Sequence, residues 1–152
     1  MRAIVISVAH TGTNTLEALL RKGGHSYVRS HCHHMQWGKS PWGRVERFPH
    51  EFVVCPYRDP ELSWQSWQRR KTGDEELFVF SWVVLQNAID DFNPIVVPIG
   101  MPGTQQALDR IDTNIVYEGE WENKGSGDEK WPGLSAPAHK EVYDLPIVKS
   151  FQ

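Results

Sequence analysis

The fold is decided by two consecutive runs near the start of the chain, A-I-V-I-S-V at residues 3–8 and A-H-T-G-T-N-T-L at residues 9–16. The first run is apolar and rich in β-branched residues, as expected of a strand that is covered on both faces of its sheet. The second run is small and hydroxylated, contains Gly12, and passes into a helical pattern that stops at Gly23 and Gly24. Because the free amides and the positive dipole end of a helix point at one place, this strand-loop-helix unit predicts a loop that suits a phosphate or a sulfate.

Shorter runs predict the rest of the sheet and its helices. The other predicted strands are residues 25–29, 52–55, 95–99 and 114–117. The other predicted helices are residues 60–71, 75–91 and 103–111, whereas residues 35–49 are rich in turn-forming residues and are expected to be irregular.

Strands that alternate with helices indicate a three-layer α/β domain. We expect a central, mostly parallel sheet of about five strands with helices on both faces. The length of 152 residues predicts a single domain. From about residue 118 the chain is rich in Gly, Pro and charge, which predicts an irregular C-terminal tail. Ligands of such sheets bind at the carboxyl ends of the strands, where the loops after the first three predicted strands all lie.

Composition excludes several classes of function. The formal net charge is −3, so we expect no basic tail or face that binds bulk nucleic acid, although this charge is compatible with a local basic pocket. No apolar run approaches the roughly 18 to 20 residues of a membrane helix, and no secretion signal is expected at the start of the chain. The two cysteines, Cys32 and Cys55, are predicted to be reduced thiols of a cytoplasmic protein.

A second candidate element follows the predicted strand at residues 52–55. Arg58 comes directly after this strand, and Ser63 and Ser66 lie on the first turns of the next helix. A guanidinium at a strand end and a hydroxyl on the following helix can converge on one phosphate. The same residues also fit a purely structural role, in which Arg58 pairs with Asp59 or caps a helix and Ser66 lies on an ordinary helix surface.

Together the two segments resemble the cofactor-binding motifs of the P-loop sulfotransferases. These enzymes transfer a sulfuryl group from 3′-phosphoadenosine 5′-phosphosulfate (PAPS) to a hydroxyl or an amine. Their first motif reads roughly P-K-S-G-T-T-W-L directly after the first strand, where this chain has residues 9–16. The resemblance implies that the 5′-phosphosulfate is bound by the loop residues His10, Thr11, Gly12, Thr13, Asn14 and Thr15, and above all by the four from Thr11 to Asn14.

The second family motif is an Arg followed by (D/N)-P, with a Ser eight residues after the Arg and then an aromatic residue. This chain has Arg58, Asp59-Pro60, Ser66 and Trp67 at those places. The resemblance therefore implies that Arg58 and Ser66 hold the 3′-phosphate of the cofactor.

A third likeness lies between the two motifs. Cytosolic members have a strand that ends K-(T/S)-H, whose His is the general base for the acceptor hydroxyl, and this chain has Arg29-Ser30-His31 there. The resemblance implies that His31 takes the proton, that Arg29 steadies charge on the transferred group, and that His10 assists the leaving group. The alternative is that residues 31–34 form a polar loop. A metal site is not expected there, because neighbouring His side chains point alternately and no distant Cys/His pair completes a tetrahedron.

The chain departs from the family pattern at two loop positions. His10 replaces a basic residue, and Thr15 replaces the Trp that stacks on adenine, for which Trp64, Trp67 or Trp82 is a possible substitute. K-G-S-G-D at residues 124–128 is similar to the start of a C-terminal cofactor loop in cytosolic members, and equally typical of a solvated Gly-rich turn.

These observations predict a sulfotransferase-like enzyme that uses PAPS, releases adenosine 3′,5′-bisphosphate, and acts on a small-molecule, glycan or peptide hydroxyl. One alternative is a small P-loop nucleotide or nucleoside kinase, although the Lys-Ser/Thr pair that normally serves the γ-phosphate and Mg²⁺ is missing. The other alternative is a catalytically inactive binding module with the sulfotransferase fold, which His10 and Thr15 favour.

Overall fold

A single sheet organises the chain. The computed structural model describes residues 1–119 and 140–152. Within them lie four strands, all parallel, with the spatial order β2-β1-β3-β4. The strands are β1 at Arg2–Ser7, β2 at Ser26–His31, β3 at Phe52–Tyr57 and β4 at Ile95–Pro98.

Helices fill the connections between these strands. Helix α1 spans Thr13–Lys22, a 3₁₀ helix spans Cys32–Trp37, α2 spans Pro41–Arg47, α3 spans Pro60–Arg69, and α4 spans Glu75–Phe92. Helix α5 spans Thr104–Asp109, and two short helices, α6 at Lys140–Tyr143 and α7 at Pro146–Lys149, follow. The starts obey ordinary capping rules: the Asp74 carboxylate accepts from the Leu77 amide at 2.8 Å, and Pro60 occupies the first turn of α3.

The side chains of β1 are buried on both faces of the sheet. Ala3 and Val5 pack with the apolar side of α1 and with Leu108 of α5. Ile4 and Ile6 belong to a second cluster on the other face, built from aromatic residues of α3 and α4 together with apolar residues of α6 and α7. The prediction of a three-layer α/β domain with a mostly parallel sheet is therefore confirmed. In the described ranges, no helix is both long and apolar enough to span a membrane.

The predicted fifth strand at residues 114–117 is not a strand. Its backbone is hydrogen-bonded by the side chain of Gln105 instead of a neighbouring strand. The Gln105 amide nitrogen donates to the Ile115 carbonyl, and its amide oxygen accepts from the Tyr117 N–H, both at 2.8 Å. Ile115 is buried against α1 and α5, so the apolar pattern reflects burial without sheet pairing.

The prediction of irregular structure was wrong for two segments. Residues 35–49 contain the end of the 3₁₀ helix and all of α2, whose start is capped by the Ser40 hydroxyl accepting from the Gly43 amide at 3.0 Å. The tail forms α6 and α7 at residues 140–143 and 146–149, because Val142 and Val148 are fully buried in the core. The Gly-rich sequence at residues 124–128 lies outside the described residues.

Both the backbone conformation and the packing at position 12 require a glycine. Its φ is +92°, and a Cβ there would lie 2.9 Å from Ile99 Cγ1. We expect Gly12→Ala to lower the free energy of unfolding by roughly 2 kcal/mol or more, since it combines left-handed strain with a core clash. The matched control is Gly24→Ala, because Gly24 has a φ of +80° with no atom within 4 Å of its Cβ position. Urea unfolding that gives equal losses for the two variants would contradict the Ile99 clash.

Candidate functional site

The carboxyl ends of β1 and β2 open into a cavity of about 340 Å³. Because both strands are parallel and paired along their full length, the loops that follow them meet at this edge. The described residues that line the cavity come from the loop after β1 and the start of α1, from the end of β2 and the 3₁₀ helix, and from the turn after α3: Ala9, His10, Thr13, Asn14, Arg29, His31, His33, His34, Arg70 and Thr72. The sheet edge predicted from the sequence is therefore where the cavity lies.

The loop between β1 and α1 leaves the start of α1 uncapped by any side chain. His10 and Gly12 both have positive φ, at 68° and 92°, and Thr11 turns inward, with its hydroxyl donating to the Val8 carbonyl at 2.6 Å. Gly12 offers no capping side chain, and the first turn of α1 has no acidic residue. The Thr13 hydroxyl is buried and forms no hydrogen bond within the described residues. The helix start therefore offers the cavity donors that an anion satisfies.

His10 connects this loop to α3. Its Nδ1 lies 2.9 Å from the Ser66 hydroxyl, and its Nε2 lies 2.7 Å from the Thr72 hydroxyl. Burial, together with the nearby charge of Arg70 and then of other basic groups, lowers its pKa to about 4. The ring is therefore neutral at pH 7 and uses both nitrogens within the protein. In this arrangement it does not supply the positive charge that the family motif has at this position.

The two regions that carry the sequence motifs contact each other. The second region packs against the loop after β1 and does not line the cavity. Ser66 is completely buried by its contact with His10, and the Ser63 hydroxyl donates to the Ala9 carbonyl at 3.1 Å. Arg58 is only 3% exposed, and its charge contributes to the lowered pKa of His10. Neither Arg58 nor Ser66 is among the described residues that line the cavity.

Arg29 is held in place by a buried acid that sequence reasoning missed. Its Nε donates to Glu17 Oε2 at 2.7 Å, and its Nη2 donates both to Glu17 Oε1 and, at 3.0 Å, to Asn14 Oδ1. The Glu17 side chain is 1% exposed, whereas that of Arg29 is 41% exposed. The hydrogen bonds that Arg29 donates to the Glu17 carboxylate raise the pKa of Arg29, so its guanidinium is a fixed cation on the cavity wall. The sequence signal that could have revealed this contact was Glu17 itself, an acidic residue among the apolar residues of α1.

His31 is close to the other two histidines of its loop. Its Nδ1 lies 3.0 Å from the Ser7 hydroxyl, and the rings of His33 and His34 each lie 5.4 Å away. Burial, followed by the charge of Arg29, lowers its pKa to about 3, so the ring is neutral at pH 7. No group of three or more His, Cys, Asp or Glu side chains in residues 1–119 and 140–152 is arranged to hold a metal ion.

Sequence reasoning also missed Arg70 and Thr72, which follow α3 and line the cavity. Among charged groups, Arg70 has the largest effect on the pKa of His10, which indicates that its guanidinium lies close to the ring. The backbone folds back here, with the Thr72 amide donating to the Trp67 carbonyl at 3.1 Å. The only available signal was the basic run R-R-K-T at residues 69–72, just beyond the second motif.

The residues considered for the adenine contact are buried. Thr15 is fully buried on α1, and the three candidate tryptophans, Trp64, Trp67 and Trp82, are buried in the core. The exposed aromatic residue beside the cavity is Trp37, which is 63% exposed and has its ring 5.2 Å from that of His34.

Comparison of the chain with protein-family models, curated proteins and solved structures finds no match. The function is therefore inferred from the residues of this cavity and from the motif likeness at residues 5–67.

Proposed function

We propose that this chain is a sulfotransferase-like, nucleotide-binding enzyme that uses PAPS to sulfate a hydroxyl or an amine. The observation that carries the proposal is the uncapped start of α1. There the buried Thr13 hydroxyl, which has no hydrogen bond within the described residues, lies on the wall of a cavity that also contains Arg29 and Arg70. Amides, hydroxyls and guanidinium groups are the donors that a phosphosulfate needs.

The size and charge of the cavity support the fit. About 340 Å³ is within the range of roughly 300 to 1,000 Å³ that is usual for small-molecule sites. Residues 11–14 and Arg29 would hold the 5′-phosphosulfate, in keeping with the motif likeness. Arg58 and Ser66 would reach a 3′-phosphate only after the His10 ring leaves Ser66, whereas Arg70 and Thr72 already line the cavity.

Within this proposal His31 accepts the proton of the acceptor. When bound, PAPS would supply the sulfuryl group, so that the acceptor oxygen bonds to sulfur, the bond from sulfur to the 5′-phosphate oxygen breaks, and the acceptor's proton passes to His31. In the tautomer whose Nδ1–H donates to the Ser7 hydroxyl oxygen, Nε2 carries the lone pair and is the nitrogen that receives the proton. With a pKa of about 3 the ring is a weak base, and an anion bound beside it would raise that pKa.

Adenosine 3′,5′-bisphosphate is expected to raise the melting temperature. At 100 times its dissociation constant a ligand of the folded state adds about 2.7 kcal/mol, which is about 5 to 10 °C for a chain of this size. We expect the shift to be reduced in Arg70→Gln, which removes a cation from the cavity wall, and retained in Arg110→Gln, which makes the same charge change after α5. Adenosine, which lacks both phosphates, should give no shift.

Two results would overturn this proposal. One is no shift of the wild-type protein at millimolar bisphosphate. The other is a shift that Arg29→Gln and Arg70→Gln leave unchanged, since the ligand would then lie elsewhere. Stabilisation by ATP with Mg²⁺ alone would favour a kinase.

One observation favours a second candidate, a binding module without transferase activity. His10 is neutral and engaged at both ring nitrogens, so the loop lacks the cation that the family places beside the leaving group. The bisphosphate would then bind without turnover. The two candidates are distinguished by whether bisphosphate is released from PAPS faster in the presence of the protein and a panel of hydroxyl acceptors than in buffer.

A further inference from the structure

A second, smaller cavity is lined by residues that follow the 3₁₀ helix in the chain. It has a volume of about 150 Å³, and its wall comes from the connection between the 3₁₀ helix and α2, from α2 and from Phe48. We propose that it binds an oxyanion, and that it thereby selects acceptors that carry a carboxylate, a phosphate ester or a sulfate ester near the hydroxyl to be sulfated. The selection of acceptors rests on the proposed function, whereas the binding of an oxyanion does not.

The lining of this cavity is positively charged. Lys39, Arg44 and Arg47 all line it, together with Ser40 and Phe48. No acidic side chain of the described residues lines it, and no ion pair joins these three cations to a carboxylate within residues 1–119 and 140–152. Three cations gathered around one small concavity repel one another, and an oxyanion removes that repulsion.

The cavity is also partly preorganised. The Arg44 guanidinium lies over the Phe48 ring, 5.4 Å from its centroid, which restricts the side chain. The Ser40 hydroxyl is occupied in capping the Gly43 amide, which fixes the backbone between Lys39 and Arg44. A cation whose position is already restricted loses less entropy when it binds an anion.

His34 links this basic cavity to the larger one. Its ring lines the larger cavity, and its carbonyl accepts from the Lys39 amide at 3.2 Å. Burial, followed by the charges of Lys39, Arg44 and Arg29, lowers the pKa of His34, so cations that line both cavities act on this ring. The ring of His34 is 5.4 Å from that of His31. The proposal therefore places the acceptor hydroxyl at His31 and its anionic substituent beyond His34, at Lys39 and Arg44.

The first test is titration of the wild-type protein with inorganic sulfate and, separately, inorganic phosphate and acetate at constant ionic strength, followed by backbone amide NMR shifts. We expect saturable shifts at residues 38–48. The double variant Lys39→Gln/Arg47→Gln, which changes two exposed side chains, should bind about tenfold more weakly or not at all. The matched control, Arg110→Gln/Lys149→Gln, makes the same charge change on other elements and should bind like the wild type. The order of affinity among the three anions identifies which oxyanion the cavity prefers.

The second test compares two acceptors of similar shape, 4-hydroxyphenylacetate and 4-hydroxyphenylacetamide, with PAPS as the donor. We expect the wild type to have a KM about tenfold lower for the carboxylate compound. The double variant should lose this difference and keep its kcat for the amide, because neither substituted residue belongs to the proposed transfer site.

Absence of shifts at residues 38–48, or equal weakening in the control variant, would overturn the anion site. Equal KM values for the two acceptors, or no turnover of either, would overturn its role in acceptor choice. Failure of the proposed function has a separate measurement, the melting temperature with adenosine 3′,5′-bisphosphate. If the proposed function is wrong, the bisphosphate does not stabilise the protein, whatever the anion titration shows.

Discussion

Arg29→Met is expected to lower the free energy of unfolding by about 3 kcal/mol, because it leaves the Glu17 carboxylate buried without its partner. Glu17 is 1% exposed in its side chain and is bonded through both oxygens to Arg29. Glu17→Gln should cost less, since Arg29 is 41% exposed and can be hydrated. The measurement is urea unfolding at neutral pH.

A double-mutant cycle is the control for this result. Glu17→Gln/Arg29→Met removes both charges, so it should be more stable than Arg29→Met alone. Equal stability of the double variant and Arg29→Met would contradict a buried charge as the source of the loss. The pair would then contribute through packing only.

Acidification is expected to destabilise the fold before most surface carboxylates are protonated. Burial lowers the pKa of His10 to about 4 and that of His31 to about 3, against about 6.5 in an unfolded chain. Below pH 6.5 the unfolded state therefore binds more protons than the folded state, and stability is lost as the pH falls towards 4. Each of the two rings should lower the free energy of unfolding by about 1.4 kcal/mol per pH unit, or by about 2 to 3 kcal/mol between pH 6.5 and 4.5.

Urea unfolding at pH 7.0, 5.5 and 4.5 measures this effect. His31→Asn keeps a polar side chain that does not titrate, so we expect it to flatten the dependence of stability on pH by the contribution of one ring. His50→Asn is the control, since His50 lies on the connection before β3, away from the cavity. A slope that is the same in wild type and His31→Asn would contradict a His31 pKa that is lowered by folding.

The sequence predicted the elements whose backbone conformation is set by residues that are neighbours in the chain. The predicted strand at residues 3–8 is observed at residues 2–7, and the helix predicted after the small-residue run at 9–16 begins earlier, at Thr13, because an apolar run and a helical repeat decide backbone conformation without help from distant residues. The parallel order of strands followed from their alternation with helices. The supposed strand at 114–117 failed because one side chain, Gln105, satisfies the backbone that a neighbouring strand would have paired.

The contacts that shape the cavity join residues that are far apart in sequence, and for that reason they were not predicted. Periodicity places Glu17 on α1 and Arg29 on β2, but only the packing of α1 against the sheet brings the two together. The bond between His10 and Ser66 spans 56 residues. Sequence therefore located the edge of the sheet where the cavity lies, and the folded structure showed which side chains line that cavity.

The contacts of His10 with Ser66 and Thr72 also bear on how fast a ligand enters. A ligand that uses the Ser66 hydroxyl competes with a ring that already occupies it. Release of that ring is then a first-order step, so the observed association rate should level off as the ligand concentration rises instead of increasing in proportion to it. Stopped-flow mixing would reveal such a plateau, and its height would be the rate at which the ring opens.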